Sequence, residues 1–326
     1  MNGFQDRAVL VVGGLGFIGG RLSSALVDAG ARVTIVTPSR KRHHDAALEL
    51  EARGIRVIDG DVRDQDAMAT SVRRQDVVFN LAGQSGAARS MEMPLDDLDV
   101  NGRGMLTIIE AVRRESPQAR VVFAGSRLEY GRVGSDPVAE THETDPLCVH
   151  AVHKLVAEQY LRLYERLYGI SYAVARITNP FGPGQPKSRT AYGVVNRLIH
   201  LALADETLPI YGDGSQRRDY IYIDDVVGAL LTLGDPAQAI AAEHRIYNVG
   251  TGVGTSLADM AAAITAAAGG GRIEFVPWPP LAKQIETGDF VADISRIQTN
   301  LGWTPLVSLQ EGLRRTVAFY REHVTQ

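Results

Sequence analysis

The segment RAVLVVGGLGFIGG, residues 7–20, joins a short apolar run to a glycine loop and then to a helical pattern. Its glycines have G-x-x-G-x-x-G spacing at 13, 16 and 19. A strand that enters such a loop and continues into a helix brings backbone N–H groups and the positive helix end close to a bound phosphate. This context predicts a dinucleotide-binding site, whereas three glycines alone would indicate a tight turn. The residues expected at that site are Gly13, Gly16, Phe17, Ile18 and Gly19.

The first half of the chain alternates short apolar runs with helical stretches, which is typical of a parallel sheet with crossover helices. Strands are predicted at 7–14, 32–37, 56–61, 77–82, 120–126, 171–177 and 245–250, and helices at 17–30, 96–115 and 150–168. The predicted fold is therefore α/β, a Rossmann-type doubly wound parallel sheet with a smaller C-terminal lobe. We expect 5–177 and 219–250 to form the nucleotide-binding domain, and 178–218 and 251–326 to form the substrate-binding lobe.

Composition excludes several classes of protein. The 326 residues have a formal net charge of −4 with scattered basic residues, so nucleic acid is not an expected partner. No apolar run approaches the roughly 18 residues that cross a bilayer, and we expect no membrane partner. The single cysteine, Cys148, cannot form an internal disulfide, which favours a reducing, cytoplasmic location. The histidines lack the spacing of a metal site, and we expect no metal.

The end of the second predicted strand bears on which dinucleotide binds. An acidic residue there usually accepts hydrogen bonds from the adenosine ribose of NAD, but Thr37 occupies the position. Ser39 and Arg40 follow it, and a cation without a carboxylate favours a 2′-phosphate. The sequence thus favours NADP and leaves NAD open. Asp61 and Val62 are expected to flank the adenine.

Four further motifs occur in order along the chain: FAGSRLEYG, ARITNPFGPGQ, YGDGSQRRDYIYIDDVV and LGWTPLVSLQEGL. With them the chain resembles the extended short-chain dehydrogenase/reductase superfamily and, more closely, its nucleotide-sugar epimerase/dehydratase family. The resemblance implies a nucleotide-diphosphate sugar as substrate. It also implies a homodimer formed through helices 96–115 and 150–168. Their residues Leu106, Ile109, Leu155, Leu161 and Leu163 fit such a contact and fit core packing equally.

In that family a Tyr and a Lys separated by three residues, with a Ser or Thr, move a proton while hydride passes between nicotinamide and sugar. Ser126 and Lys154 match the Ser and the Lys. His150 stands at the tyrosine position. Imidazole has an ordinary pKa near 6.5 and can both take and give a proton. A nearby Lys154 cation would keep it neutral, and our hypothesis is that His150 is a modified proton relay.

The resemblance assigns other residues. Leu81, Ala82, Gly83 and Asn101 are expected beside the cofactor, together with Lys154. Arg127, Asn179, Asn196 and Arg218 are expected to bind substrate, with Arg218 holding the diphosphate. The family often has a second diphosphate-binding Arg where this chain has Glu286, and a carboxylate there would oppose a diphosphate unless it turns away.

The residues after Ser126 narrow the reaction. Dehydratases of the family carry an Asp-Glu pair there, and decarboxylases keep the Glu, whereas this chain has Arg127 and Leu128. Glu129 would point to the opposite face if the strand continued. Dehydration and decarboxylation are therefore disfavoured, and a sugar-nucleotide epimerase ranks first. The alternatives are an NADP-dependent keto-sugar reductase and a dinucleotide-binding sensor or scaffold with weak or no catalysis.

Overall fold

The computed structural model describes residues 3–134, 137–185 and 193–324. The strands are β1 (Ala8–Val12), β2 (Arg32–Thr37), β3 (Arg56–Asp59), β4 (Val77–Asn80), β5 (Arg120–Ser126), β6 (Tyr172–Ile177), β7 (Asn179–Phe181), β8 (Thr207–Tyr211), β9 (Arg217–Tyr222), β10 (Ile246–Val249), β11 (Gly254–Ser256) and β12 (Arg272–Val276). The helices are α1 (Phe17–Asp28), α2 (His44–Ala52), α3 (Gln65–Val72), α4 (Ala87–Glu92), α5 (Pro94–Asp97), α6 (Gly104–Glu115), α7 (Val149–Tyr168), α8 (Val194–Leu203), α9 (Ile223–Gly234), α10 (Leu257–Ala268), α11 (Pro280–Gln284), α12 (Ser295–Leu301) and α13 (Leu309–Val324).

Seven parallel strands form the main sheet in the order β10-β6-β5-β4-β1-β2-β3. The order reverses between β1 and β4, and ligands of doubly wound sheets bind in the crevice beyond such a reversal. The predicted fold class is confirmed.

The sheet is covered on both faces because its strands are apolar on both sides. In β1, Val9 and Val11 pack in one core cluster with Leu22 of α1, whereas Leu10 packs on the other face with Ile109 of α6. Successive side chains of a strand point to opposite faces, so a continuous apolar run fills both layers. A third cluster forms the core of the C-terminal lobe from α8, α10 and α13.

Several element ends differ from the prediction. β1 ends at Val12 rather than at residue 14 because Gly13 has a φ of +84°, which takes the chain out of the strand. The helix expected at 96–115 is three segments, with a π-helical turn at Leu98–Arg103 between α5 and α6. Of the residues that fitted either a dimer contact or the core, Ile109 and Leu161 are fully buried in the core of their own chain.

The C-terminal lobe contains the parallel pair β8–β12 and the three-stranded sheet β11-β9-β7. β9 crosses the domain boundary predicted at residues 218 and 219, and the domain boundaries stay a prediction. Within the described ranges, no helix has the length and apolarity that a membrane span requires.

Candidate active site

The glycine loop lies between β1 and α1. A Cβ atom on Gly13 would lie 2.8 Å from the backbone nitrogen of Ala82, and one on Gly19 would collide with the carbonyl oxygen of Gly13. Only glycine allows this close approach. Helix α1 begins at Phe17, and its N-cap residue, Gly16, makes no side-chain capping bond. The N–H groups of the first turn are therefore free of a side-chain cap and can bind a phosphate.

A cavity, here called the central cavity, opens at the carboxyl ends of β1, β4 and β5. The glycine loop, Leu81 and Gly83 form one wall, and Ser126, His150 and Lys154 lie on another. These three residues come from β5 and α7, which are far apart in the chain. The structure thus brings the predicted catalytic residues together beside the predicted phosphate loop.

Three buried polar atoms at this cavity lack hydrogen-bond partners among the described residues. They are Gln84 Nε2, Asn101 Oδ1 and Thr178 Oγ1, and Gln84 and Thr178 line the cavity. Buried polar groups are normally hydrogen-bonded, because desolvation without a partner costs about 1–3 kcal/mol. The unpaired atoms and the glycine cradle fit a polar ligand such as a dinucleotide.

The residues expected around the adenosine lie at the ends of β2 and β3, outside the walls of the central cavity. The Thr37 and Ser39 hydroxyls are 2.8 Å apart. Arg40 forms an ion pair with Glu51 at 2.8 Å, so part of its charge is already compensated. Asp61 pairs with Arg63, a hydrogen bond that lowers the pKa of Asp61.

Val62 and Ala82 support the cofactor region from behind. Val62 is 5% exposed and belongs to the core cluster on the α6 side of the sheet. Ala82 donates its backbone N–H to the side-chain oxygen of Asn80 at 3.2 Å, which fixes the loop that follows β4. Neither residue lines the central cavity.

Ser126 ends β5 and caps a short 3₁₀ turn over Arg127–Tyr130. Its Oγ accepts a hydrogen bond from Leu128 N at 3.2 Å. The hydroxyl hydrogen therefore stays free to donate into the cavity. The expectation that Glu129 continues a strand is wrong: Glu129 folds back in the 3₁₀ turn and accepts a bond from Ser126 N at 2.7 Å.

Glu129 is fully buried next to Ser126. Its Oε2 is 3.2 Å from Arg176, which is itself bound by Glu158 through two hydrogen bonds of 2.9 and 2.7 Å. Burial and, after it, the adjacent Glu158 raise the pKa of Glu129 well above its usual value, while the Arg176 guanidinium opposes this. Sequence reasoning missed this group because the three partners come from separate elements.

Lys154 is buried in α7. Its Nζ donates to the carbonyl oxygen of Ala124 at 2.8 Å and lies 4.7 Å from the ring centroid of Phe123. Burial lowers the pKa of Lys154 to about 8, although Glu129 and Asp97 act in the opposite direction. The ammonium group is therefore mainly charged at pH 7.

His150 lies one helical turn before Lys154 and is 7% exposed. Its Nδ1 is 3.4 Å from Asn101 Nδ2 and 3.6 Å from Asp97 Oδ2. Burial lowers the pKa of His150, and the Lys154 cation adds to this, while Asp97 opposes it. The imidazole is thus neutral near pH 7, as expected from the sequence, but burial contributes more than Lys154.

Asp97 and His153 complete the polar group around His150. His153 Nδ1 is 2.6 Å from Asp97 Oδ1. Asp97 was not predicted from the sequence, although its spacing carried a signal. Asp97 and Asn101 are four residues apart, as are His150 and Lys154, and such pairs face one side of a helix.

Arg127 and Asn179 meet at the start of the C-terminal lobe. Arg127 Nε donates to Asn179 Oδ1 at 3.3 Å and one terminal nitrogen donates to Thr287 Oγ1 at 2.9 Å. Asn179 Nδ2 donates to the carbonyl oxygen of Asp219 at 3.0 Å. Burial lowers the pKa of Arg127 to about 9, and the neighbouring Arg218 acts in the same direction.

Arg218 is paired with Glu286, the residue that stands where the resemblance implies a second arginine. Its other terminal nitrogen donates to the backbone carbonyls of Arg217 and Gly288. Glu286 also accepts a hydrogen bond from Gly288 N at 3.0 Å. The guanidinium expected to hold a diphosphate is therefore bound by a carboxylate.

Asn196 lies deeper in the lobe and is 2% exposed. Its side-chain amide bonds the backbone of Gly182 through both polar atoms and contacts the Tyr320 hydroxyl at 2.9 Å. These bonds occupy the amide in holding two segments of the lobe together, and its expected contact with substrate stays a prediction.

Comparison with known proteins identifies the family. The model of the NAD dependent epimerase/dehydratase family matches residues 9–250. The chain belongs to this family. It is 32% identical over 320 residues to a putative UDP-glucose 4-epimerase of Methanocaldococcus jannaschii, a match that covers 97% of this chain and 99% of the relative. The resemblance inferred from the sequence is confirmed.

A solved structure and a second relative add detail. The UDP-glucose 4-epimerase of Thermus thermophilus in complex with NAD superposes with a TM-score of 0.85 at 30% identity, covering 96% of this chain and 99% of that one. A UDP-N-acetyl-alpha-D-glucosaminuronate decarboxylase of Bacillus cytotoxicus is 29% identical, covering 98% of this chain and 99% of the relative. Relatives thus include more than one reaction class, and the case against decarboxylation still depends on the residues after Ser126.

Proposed function

We propose that the protein is an NAD(P)-dependent nucleotide-sugar epimerase that inverts a sugar carbon through a transient keto-sugar, with a UDP-sugar as substrate. The observation that carries this proposal is the meeting of Ser126, His150 and Lys154 beside the glycine loop in one cavity. The names of the 4-epimerase relatives and of the NAD-bound neighbour support it.

A bound nicotinamide would supply the hydride acceptor and donor. His150 would take the proton of the sugar hydroxyl when its carbon is oxidised to the ketone, and would return that proton when the ketone is reduced from the other face. Its Nδ1 is directed at Asp97 and Asn101, which leaves Nε2 for the substrate. A neutral imidazole can accept that proton, and its lowered pKa keeps it neutral.

Ser126 and Lys154 support this transfer. The Ser126 hydroxyl would donate a hydrogen bond to the sugar oxygen, since its Oγ accepts from Leu128 N and its hydrogen has no partner among the described residues. Lys154 would hold the nicotinamide ribose and, as a cation one turn from His150, it disfavours protonation of the imidazole. An imidazole is shorter than a phenol, so the sugar must approach His150 closely or through one water.

The diphosphate is proposed to bind Arg218, with Arg127 and Asn179 contacting the adjoining part of the substrate. Arg218 must exchange Glu286 for phosphate, whose bidentate pairing with guanidinium is strong. This exchange makes substrate affinity weaker than a free arginine would give.

For the cofactor, the preference for NADP stays a prediction based on Thr37, Ser39 and Arg40. The Arg40–Glu51 ion pair reduces the charge available to a 2′-phosphate, so we expect the preference to be modest. Measured affinities for NAD and NADP under identical conditions test it, and clearly tighter binding of NAD contradicts it.

We also propose a homodimer through α6 and α7. Leu163 and Leu167 of α7 are 37% and 58% exposed, and Leu95 in α5 is 74% exposed. Exposed leucines favour association. Light scattering should give the mass of two chains, and Leu167→Asp should shift the protein toward monomers. A monomeric wild type at micromolar concentration contradicts the dimer.

Cofactor use distinguishes the epimerase from its alternatives. An epimerase equilibrates two nucleotide sugars without consuming added NADPH, because the hydride returns to the substrate. A reductase consumes one NADPH per keto-sugar reduced. A sensor binds the dinucleotide and does neither. Arg127 and Leu128, which supply no carboxylate after Ser126, disfavour dehydratase and decarboxylase products.

A further inference from the structure

We propose that Asp97 is a positioning residue for His150: its carboxylate holds the imidazole with its proton on Nδ1 and keeps Nε2 unprotonated toward the cavity. This inference rests on the proposed role of His150 as the proton relay. It adds a second residue to that relay, from a different helix.

Asp97 is placed for this task. It ends α5, its side chain has no solvent exposure, and its Oδ2 is 3.6 Å from His150 Nδ1. This Oδ2 has no hydrogen-bond partner within 3.5 Å among the described residues. The other carboxylate oxygen is held by His153 Nδ1 at 2.6 Å. His153 therefore fixes the carboxylate, and the remaining oxygen faces the imidazole.

The surroundings of His150 Nδ1 favour a proton on that atom. Two acceptors lie near the ring, Asp97 Oδ2 and the backbone carbonyl of Gln84. Asn101 Nδ2 lies 3.4 Å from His150 Nδ1 and carries two hydrogens: one is donated to the same Gln84 carbonyl at 3.0 Å, and the side chain also acts as a donor to Asp97, whose pKa it lowers. An imidazole with Nδ1–H satisfies the facing acceptors, whereas the opposite tautomer would place no ring hydrogen between His150 and Asp97 Oδ2.

The charged and titratable groups that face His150 are few among the described residues. Asp97 lies on α5, Lys154 on the same helix as His150, and the Cys148 thiol contacts the backbone nitrogen of His150 at the helix start. His153 reaches His150 only through Asp97. Asp97 is thus the one facing anion in the described ranges that can balance a positive charge on His150.

The pairing of Asp97 with His150 affects how the imidazole takes and returns the proton. When Nε2 takes a proton from the sugar hydroxyl, the imidazolium is stabilised by Asp97, which stays ionised. Without that carboxylate, Asn101 is the side chain left facing Nδ1 at 3.4 Å, and as a donor it favours the Nε2–H tautomer. A proton on Nε2 would prevent the ring from acting as a base.

The test uses the full-length protein with bound NAD and uniformly ¹⁵N-labelled histidine. Long-range ¹H–¹⁵N spectra report the tautomer and the titration of each ring, and His150→Gln assigns the signal. Wild-type His150 should be the Nδ1–H tautomer when neutral. In Asp97→Asn, it should become Nε2–H and titrate at lower pH. Finding Nε2–H in the neutral wild type overturns the inference without any variant at position 97.

Kinetics then separate positioning from a merely structural role. Asp97→Asn should lower kcat by about 10²–10⁴-fold with little change in KM, and should move the acid limb of kcat/KM to lower pH. A fall in activity with an unmoved acid limb and an unchanged tautomer overturns the inference. If His150→Phe retains full turnover, the proposed relay itself fails, and the spectra still decide whether Asp97 sets the tautomer.

Discussion

Arg218 and Glu286 form an ion pair at the position where a nucleotide diphosphate is expected to bind. The carboxylate neutralises the cation in the free protein and would repel phosphate unless it turns away. The ion pair therefore opposes binding of the substrate diphosphate to Arg218, the residue expected to hold it.

Glu286→Gln should free Arg218 and strengthen binding of UDP-sugars. We expect KM to fall by about three- to tenfold with kcat little changed, because uniform binding changes KM alone. Steady-state kinetics measure the effect. Glu274→Gln is a matched control, since Glu274 is exposed on β12 in the same lobe. Equal KM values in the wild type and Glu286→Gln would show that Arg218 does not bind the diphosphate.

Deprotonation of Lys154 should weaken cofactor binding at basic pH. Because burial lowers its pKa to about 8, Lys154 is charged below that pH and loses its charge as the pH rises through it. NAD affinity should therefore decline between about pH 7.5 and 9 in the wild type, as titration calorimetry can measure. Lys154→Arg keeps the charge and should remove the decline, whereas the exposed Lys283→Arg should behave as the wild type. The same decline in Lys154→Arg would exclude Lys154 as its cause.

Glu129 should make stability depend on pH. Because the pKa of Glu129 is raised above its unfolded value of about 4.3, this group's contribution to stability is greatest below that pH and is lost as the pH rises toward its native pKa. Glu129→Gln has no carboxyl group to titrate. The Tm of Glu129→Gln minus that of the wild type should therefore increase from pH 5 to pH 7. The corresponding difference in the free energy of unfolding should change by up to about 1.4 kcal/mol per pH unit. Calorimetry checks this.

The exposed Glu143→Gln controls for surface charge. A constant difference in Tm between Glu129→Gln and the wild type across this range would mean that Glu129 is ionised in the native protein.

Thr37 should decide the choice between dinucleotides. Thr37→Asp introduces a carboxylate at the end of β2, where it can accept ribose hydroxyls and repel a 2′-phosphate. The ratio of NADP to NAD affinity should fall by about tenfold or more, measured by fluorescence titration. Glu51→Gln should act in the opposite direction, because it removes the ion-pair partner of Arg40. Unchanged ratios in both variants would place the adenosine ribose elsewhere.

The sequence predicted the fold and the meeting of three site residues. A continuous apolar run such as that of β1 packs on both faces of a parallel sheet. The carboxyl ends of parallel strands lie at the same edge of the sheet. Ser126 follows β5 directly, and Lys154 lies four residues from His150 on α7. The resemblance identified these three residues, and the end of β5 and the start of α7 account for their meeting at one edge of the sheet.

The partners of those residues could not be predicted in the same way. Asp97 reaches His150 because a short helix and a π-helical turn replace the start of one continuous helix. Glu129 lies behind Ser126 because the chain leaves the strand in a 3₁₀ turn. The Arg218–Glu286 pair joins segments 68 residues apart. Each depends on a local break or a distant contact, neither of which hydrophobic periodicity encodes.

The central claim is that His150 moves the proton of a nucleotide-sugar epimerase. The direct measurement is ¹H NMR of UDP-glucose and UDP-galactose, and of their N-acetyl and uronate analogues, with NAD and no added reductant. Wild type should interconvert one pair, His44→Phe should match it as an exposed control, and His150→Phe should be slower by about 10²–10⁴-fold. No interconversion of any pair by the wild type, or equal rates for His150→Phe, would contradict the account.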